Sequence, residues 1–258
     1  MTLPKSFCQV PFAHRALHDV SDGRPENSPS AIRAAIAAGY GIEIDVQLSA
    51  DGSALVFHDY ALDRLTGETG AVRQRSAAEL TAIKLSGGDD GIPDLSEVLK
   101  LVGGRVPLLI ELKDQDGAMG PDLGPLERAV AEALSRYEGA VAVMSFNPHC
   151  VGLMADLAPQ VPRGLVTSAY RYEDWPLPRE TCDRLRDIPD YERTGSCFIS
   201  HEFDDLARPR LIELKEKGAY TSCWTVRSPE EAAAALKIVD NITFEGFLPS
   251  AALPPREG

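Results

Sequence analysis

The chain alternates short apolar segments with longer amphipathic ones along most of its length, and this alternation limits the folds it can adopt. Eight segments have the length and composition of buried strands: 8–13, 41–48, 107–112, 141–146, 164–167, 197–200, 221–226 and 242–244. Seven segments between them have helical spacing: 28–38, 95–102, 126–137, 148–157, 174–187, 205–217 and 229–237. Several open with Ser, Asn, Asp or an early proline, which are typical of helix N-termini.

Strands that alternate with helices, without reversals, imply a parallel sheet joined by right-handed crossovers. Eight such units in 258 residues favour a closed barrel over an open doubly wound sheet. We therefore predict an α/β fold, a single (β/α)8 TIM barrel that forms one domain over residues 1–258.

One region, at about 54–94, interrupts the alternation. It holds an extra strand at 54–58, a short helix near 77–80 and a turn rich in glycine and aspartate at 86–93. This is too long for a simple strand-to-helix loop and too short for a domain. We predict a small insertion after the second strand, placed on the catalytic face and presenting His58 there.

Composition narrows the partners and the compartment. A formal net charge of −13 disfavours nucleic acid and anionic bilayers as main partners, because phosphate groups would be repelled over most of the surface. We see no signal peptide and no apolar run of about 18 residues. Five scattered cysteines without a Cys-x-x-Cys pair suggest reduced core residues. We expect a cytoplasmic protein without stable membrane association.

Carboxylates recur on two neighbouring candidate strands. Glu43 and Asp45 are one residue apart in a strand, so both side chains project to the same face, and Glu111 and Lys113 repeat this spacing. Unpaired buried carboxylates are costly, so a positive group is expected between them. Three carboxylates without a thiolate suit one divalent cation, Mg²⁺ or Ca²⁺. The alternative is a structural salt-bridge network of Glu43 and Asp45 with Arg15 and Lys113.

Two histidines end candidate strands. His14 follows the first strand and His58 ends the extra strand, the positions at which barrel enzymes carry their chemistry. Histidine titrates near neutrality, so one ring can remove a proton while the other donates one to a leaving group. A lone histidine is as often structural as catalytic, but two beside three carboxylates favour catalysis.

Together these motifs resemble the glycerophosphodiester phosphodiesterase family. They match in order, at family-like spacing, over most of the chain. The residues that carry the resemblance are His14-Arg15, Pro25-Glu26-Asn27-Ser28, Glu43-x-Asp45, Asp51-Gly52, Val56-Phe57-His58-Asp59-x-x-Leu62-x-Arg64, Gly67-x-x-Gly70, Ile92-Pro93-x-Leu95-x-Glu97, Glu111-x-Lys113 and Ser145-Phe146-Asn147-Pro148.

The resemblance implies a TIM barrel that hydrolyses a small-molecule glycerophosphodiester to glycerol 3-phosphate and an alcohol. It also implies site roles: catalytic histidines at His14 and His58, a divalent cation at Glu43, Asp45 and Glu111, and phosphate-binding cations at Arg15 and Lys113. Phe146 and Trp224 end the fourth and seventh strands and could line the glycerol side of the pocket. Packing in the core is the alternative for both rings.

Two segments depart from the family pattern. The family usually has glycine after His-Arg, whereas Ala16 stands here, and the loop to Arg24 is longer and polar, so that His18 or Arg24 could reach the ligand. Near the C-terminus the family commonly reads Asp-Gly-x-x-Thr-Asp-x-Pro. Residues 240–249 keep the strand, but their acidic residue is displaced or absent.

Three other functions compete with this interpretation. A lysophospholipase D-like or cyclising phosphodiesterase would use the same residues on a lipid headgroup. An inactive phosphate-binding barrel would keep the fold without turnover, and a sugar-phosphate isomerase would need no carboxylate trio. The headgroup, the choice of cation, direct or cyclic hydrolysis, the oligomeric state and the roles of His201 and Glu202 stay open at this point.

Overall fold

The computed structural model describes residues 2–253. Its strands are β1 (Phe12–Ala13), β2 (Gly41–Leu48), β3 (Ala54–Val56), β4 (Leu108–Leu112), β5 (Val141–Ser145), β6 (Arg163–Thr167), β7 (Phe198–Glu202), β8 (Tyr220–Val226) and β9 (Asn241–Phe244). Its α-helices are α1 (Pro29–Ala38), α2 (Ala77–Thr81), α3 (Leu95–Val102), α4 (Pro125–Leu134), α5 (Pro148–Leu157), α6 (Arg179–Arg186), α7 (Pro209–Glu216) and α8 (Pro229–Ala235).

The strands form a closed parallel barrel. Their order is β1-β9-β8-β7-β6-β5-β4-β2-β3, and β1 also pairs with β2, which closes the ring. Eight strands pair in parallel, while β3 lies antiparallel to β2 outside the ring. The prediction of a (β/α)8 TIM barrel is confirmed. Within residues 2–253, no helix combines the length and apolarity that a membrane span requires.

Several predicted boundaries were wrong, and prolines explain two of them. The helix expected at 174–187 begins only at Arg179, because Pro176 and Pro178 disfavour helical backbone in the residues before them. The helix expected at 205–217 begins at Pro209, a residue suited to the first helical position. The strand expected at 8–13 is shortened to Phe12–Ala13, and its first residue, Cys8, instead ends a 3₁₀ helix that begins at Lys5.

The barrel interior changes from apolar to polar along its axis. At the bottom, Phe7 and Phe12 stack with centroids 5.1 Å apart and join an apolar cluster that includes Leu109 and Phe198. On β2, the residues Ile42, Ile44 and Val46 face the layer of helices, as the alternation predicts. Glu43 and Asp45 therefore point inward, above the apolar floor.

The segment 54–94 has a small core of its own. Its buried cluster comprises Leu55, Phe57, Leu62, Val72, Leu80, Ile83, Leu85 and Ile92. The Phe57 amide donates to the Asp45 carbonyl at 3.0 Å, and Gln47 Nε2 donates to the His58 carbonyl at 3.0 Å. These bonds attach the segment to β2. Together with the small core, they determine where His58 lies.

Replacing Leu62 by Ala should destabilise the protein, because Leu62 is fully buried in this small core. We expect a loss of about 2–5 kcal/mol in the free energy of unfolding, measured by urea denaturation. Leu248→Ala is the matched control, because Leu248 is 72% exposed, and it should change stability by less than about 0.5 kcal/mol. Equal effects of the two variants would contradict a separate packed core in this segment.

Candidate active site

Three carboxylates converge at the upper end of the barrel interior. Glu43 and Asp45 lie on β2, and Asp45 is in register with Glu111 on the neighbouring β4. All three are buried, and oxygen atoms from the three side chains lie within 4.8 Å of one another. This cluster is compatible with a divalent metal site, because hard cations prefer carboxylate oxygens.

Two cations approach the same carboxylates. Lys113 Nζ lies 2.7 Å from Asp45 Oδ1 and 2.7 Å from Glu111 Oε1. The Arg15 backbone amide donates to Glu43 Oε2 at 2.9 Å, and the Nε atom of the Arg15 side chain lies 3.7 Å from Asp45 Oδ2. The salt-bridge network considered for the sequence therefore exists in part, because Asp45 pairs with both cations whereas Glu43 accepts from the Arg15 backbone amide.

Negative charge still exceeds positive charge around Glu43. Burial raises the pKa of Glu43 well above its usual range, and the charges of Asp45 and Glu111 raise it further. Burial would also raise the pKa of Asp45, but Lys113 and other neighbouring cations lower it below its usual range. Because Lys113 neutralises Asp45 and Glu111 more than Glu43, a bound cation would relieve the repulsion that remains at Glu43.

His14 is held by a carboxylate that the sequence interpretation missed. Its Nδ1 lies 2.6 Å from Glu245 Oε2, and the other oxygen of Glu245 lies 2.8 Å from Arg227 Nη2. Glu245 directly follows β9, and this place at a strand end was the signal available in the sequence. Burial lowers the pKa of His14, although the hydrogen bond with Glu245 partly opposes this effect.

His58 is held in the same way by its neighbour Asp59, whose Oδ1 lies 2.6 Å from His58 Nδ1. Arg64 Nε donates to Asp59 Oδ2 at 2.7 Å, and its two Nη atoms donate to Glu26 at 2.9 Å each. Glu26 also accepts from Arg15 Nη1 at 2.8 Å. A chain of ion pairs thus connects His58 to Arg15, and Glu26 links the two arginines.

The turn after His14 is strained where the sequence departs from the family pattern. Arg15 and Ala16 have φ values of 52° and 65°, in the left-handed region that favours glycine. The amide of Ala16 donates to the Glu43 carbonyl at 2.9 Å, which fixes this backbone beside β2. Asn27, also at positive φ, donates from Nδ2 to Asp45 Oδ2 at 2.9 Å.

Two adjoining cavities open above the cluster. The smaller, of about 170 Å³, is lined by both histidines and by residues that include Arg15, Ser200, Trp224 and Arg227. The larger, of about 310 Å³, has a lining that includes two carboxylates, two aromatic rings and a thioether: Asp59, Asp114, Tyr60, Trp175 and Met119. Both cavities share His58, Glu111, Lys113 and Phe146.

A groove of about 640 Å³ lies on the outside, between α3 and α4, and is lined by residues such as Lys100 and Tyr137. None of the candidate catalytic side chains lines it. Its size therefore does not make it the functional site, because the two histidines and the buried carboxylates converge at the barrel mouth instead.

The two predicted aromatic residues both face the smaller cavity. Phe146 and Trp224 pack edge to face with centroids 5.5 Å apart. Trp224 Nε1 donates to the Ser200 carbonyl at 3.2 Å, which fixes the indole ring against β7. Both rings therefore line the cavity and also pack against each other. The neighbouring Ser145 is fully buried and donates to the Leu112 carbonyl.

Other polar residues noted in the sequence lie outside both cavities. His201 is fully buried toward the helices, where its Nδ1 lies 2.7 Å from Thr167 Oγ1. Glu202 accepts from Arg171 Nη1 at 2.8 Å. Arg24 binds the Leu17 carbonyl within its own loop, so the expectation that it reaches the ligand has no support here.

Comparison with known proteins agrees with this geometry. The sequence profile described as "Glycerophosphoryl diester phosphodiesterase family" matches residues 14–243. The chain belongs to the glycerophosphoryl diester phosphodiesterase family. It is 30% identical to a protein named glycerophosphodiester phosphodiesterase from Caldanaerobacter subterraneus, over 90% of this chain and 91% of that protein. A Bacillus altitudinis protein of the same name is 32% identical over 60% of this chain and 65% of its own length.

Solved structures in this family share the fold. A phosphodiesterase from Oleispira antarctica, in complex with the product sn-glycerol-3-phosphate, superposes with a TM-score of 0.74 at 24% identity, covering 93% of this chain and 94% of that one. A glycerophosphodiester phosphodiesterase from Thermotoga maritima gives a TM-score of 0.68 at 23% identity, covering 91% of this chain and 94% of that one. At such identities these likenesses establish the fold.

Glu245→Gln should lower the pKa of His14 further, because the hydrogen bond and charge of Glu245 raise it against the effect of burial. We expect NMR titration of the His14 ring to show this shift and the acidic limb of the pH–rate profile to move to lower pH, if neutral His14 is the active form. Glu202→Gln is the control, because Glu202 binds Arg171 and Ala169 rather than a histidine. A His14 pKa that stays unchanged or rises in Glu245→Gln would contradict this role.

Proposed function

We propose that this protein hydrolyses small, water-soluble glycerophosphodiesters to glycerol 3-phosphate and an alcohol. The observation that carries the proposal is that His14 and His58 line one cavity together with Glu43, Glu111, Lys113 and Arg15. Membership in the glycerophosphoryl diester phosphodiesterase family supports the substrate class. The glycerol 3-phosphate bound to the Oleispira antarctica phosphodiesterase supports the product.

Glu43, Asp45 and Glu111 would hold one divalent cation, and their purely oxygen donor set suits Mg²⁺ or Ca²⁺. When bound, such a cation polarises a phosphoryl oxygen as a Lewis acid. Lys113 and Arg15 would bind the phosphate oxygens and offset their charge. Both already contact these carboxylates, so the substrate would bind to groups that are ordered beforehand.

The two histidines would divide the proton transfers. Each ring directs Nδ1 to a carboxylate, which leaves Nε2 for acid or base chemistry. Burial keeps His14 neutral by lowering its pKa, and a neutral ring can accept a proton from the nucleophile. His58 lines both cavities and would donate a proton to the departing alcohol. The nucleophile is water or, through a cyclic phosphate, the glycerol 2-hydroxyl.

The size of the smaller cavity favours a free glycerol group over an acylated one. At about 170 Å³ it lies below the range of about 300–1,000 Å³ typical of cavities for drug-sized ligands. A lysolipid acyl chain would have to leave this cavity through its opening. We therefore rank the lysophospholipase D-like activity below glycerophosphodiester hydrolysis.

The net charge of −13 likewise supports a small-molecule substrate rather than nucleic acid. The five free cysteines fit a reducing compartment such as the cytoplasm.

His14→Ala and His58→Ala should each lower kcat on glycerophosphocholine by about 10²- to 10⁴-fold, because each removes a proton-transfer group. Release of glycerol 3-phosphate with added Mg²⁺ or Ca²⁺ is the measurement, and EDTA should stop it. His149→Ala is the matched control, because His149 lies on α5 and lines neither cavity. Normal rates in both active-site variants, or no turnover of any glycerophosphodiester by the unaltered protein, would refute the proposal.

A further inference from the structure

Three buried side-chain nitrogen or oxygen atoms in residues 2–253 lack a hydrogen-bond partner, and all lie at or beside the smaller cavity. They are Arg15 Nε, His18 Nε2 and Ser200 Oγ. Arg15 and Ser200 line the cavity, and His18 Nε2 lies 3.7 Å from Glu245, the carboxylate that holds His14. Arg15 Nε also has a carboxylate oxygen 3.7 Å away, that of Asp45, whereas Ser200 Oγ has no hydrogen-bond partner. Buried polar groups are nearly always paired in folded proteins, so this hydroxyl indicates that a ligand supplies its partner.

Ser200 is the clearest of the three. It is fully buried on β7 and faces the barrel interior, since Ile199 and His201 on either side face the helices. Ser222 is its register partner on β8, and the hydroxyl of Ser222 does have an acceptor, the Ile199 carbonyl at 3.4 Å. An unpaired buried hydroxyl destabilises the folded protein, so Ser200 is better explained by a ligand than by packing.

The depth of Ser200 indicates which part of a substrate would reach it. Trp224 is in register with Glu202 at the end of β7, so Ser200 lies two residues deeper in the barrel. Arg15 and Lys113, which would hold the phosphate, lie at strand ends near the opening. The group farthest from the phosphate in glycerol 3-phosphate is the terminal hydroxyl, and hydroxyl groups pair well with serine.

The larger cavity has a different character. Tyr60, Met119, Phe146 and Trp175 contribute aromatic and thioether surface, and the Phe146 and Trp175 rings lie 5.0 Å apart. Asp59, Glu111 and Asp114 add three carboxylates to the lining, against the single ammonium group of Lys113. Aromatic faces beside negative charge favour a methylated ammonium group, which combines apolar surface with a positive charge. His58 lines this cavity too, where a departing alcohol would need a proton.

We propose that the phosphodiester binds across both cavities in one orientation. Its glycerol lies in the smaller cavity with its terminal hydroxyl on Ser200. Its alcohol lies in the larger cavity against Tyr60, Met119 and Trp175, which select a quaternary ammonium alcohol. This inference rests on the proposed hydrolysis and adds the orientation of the substrate and the chemical class of the leaving alcohol.

Three substrates test the orientation by kcat/KM. They are glycerophosphocholine, its analogue without the terminal glycerol hydroxyl, and glycerophosphoethanolamine. The analogue keeps the 2-hydroxyl, so direct and cyclic hydrolysis both remain open to it. We expect the unaltered protein to prefer glycerophosphocholine about ten-fold over the deoxy analogue and about five-fold over the ethanolamine ester.

Each preference should depend on one residue. Ser200→Ala should abolish the preference for the hydroxyl and keep the preference for choline, while Trp175→Leu should do the reverse. Ser222→Ala and Tyr172→Leu are the matched controls, because neither residue lines a cavity, and they should keep both preferences. Trp175→Phe retains an aromatic face and should keep most of the choline preference. This variant therefore distinguishes loss of the aromatic contact from a general loss of structure.

Several outcomes would overturn the inference. If Ser200→Ala abolishes the choline preference, or Trp175→Leu abolishes the hydroxyl preference, the orientation is reversed. If the unaltered protein shows neither preference, or if Ser200→Ala keeps the hydroxyl preference, Ser200 does not bind the glycerol. Failure of the proposed function differs from all of these, because the unaltered protein would then hydrolyse none of the three esters.

Discussion

The site depends on repulsion among three buried carboxylates. The register of β2 and β4 places Glu43, Asp45 and Glu111 side by side in the barrel interior. Lys113 contacts two of them, and Arg15 approaches from the turn after β1. Buried like charges are tolerated only where positive charge offsets them. This requirement explains why so many of the surrounding side chains are ionic.

The two candidate catalytic histidines are held in the same way. Each ring lies at the end of a strand, and each places Nδ1 2.6 Å from a carboxylate oxygen. The carboxylates belong to different elements, since Glu245 follows β9, whereas Asp59 is part of the segment 54–94 and is braced by Arg64. The inserted segment therefore contributes directly to the site. Its small apolar core holds the backbone around His58 in place.

The alternation of strands and helices was sufficient to predict the barrel. The period-two pattern of β2 predicted the inward direction of Glu43 and Asp45, because strand geometry determines side-chain direction. Helix starts were predicted less well where prolines interrupt a helical pattern, as before α6. Glu245 was missed because its contact with His14 crosses 231 positions of sequence, and the motif around it differs from that of the family. Ser200 gave no signal, because an unpaired hydroxyl is visible only after folding.

The strain at Ala16 shows how the departures from the family are accommodated. An alanine at φ 65° costs about 1–3 kcal/mol, and the surrounding hydrogen bonds to β2 hold it in place. The turn thereby keeps Arg15 beside the carboxylates despite the missing glycine. The contacts of Arg15 with Glu43 and Asp45 are thus kept, while the loop that follows differs from the family pattern.

The most direct test of this account is calorimetric titration of the protein with Mg²⁺ and with Ca²⁺, because the account assigns the three buried carboxylates to one bound cation. We predict one bound ion per chain and at least about a ten-fold weaker affinity in Asp45→Asn. The exposed Asp89→Asn should leave the affinity unchanged. Absence of binding by the unaltered protein, or equal affinities for it and Asp45→Asn, would contradict the account.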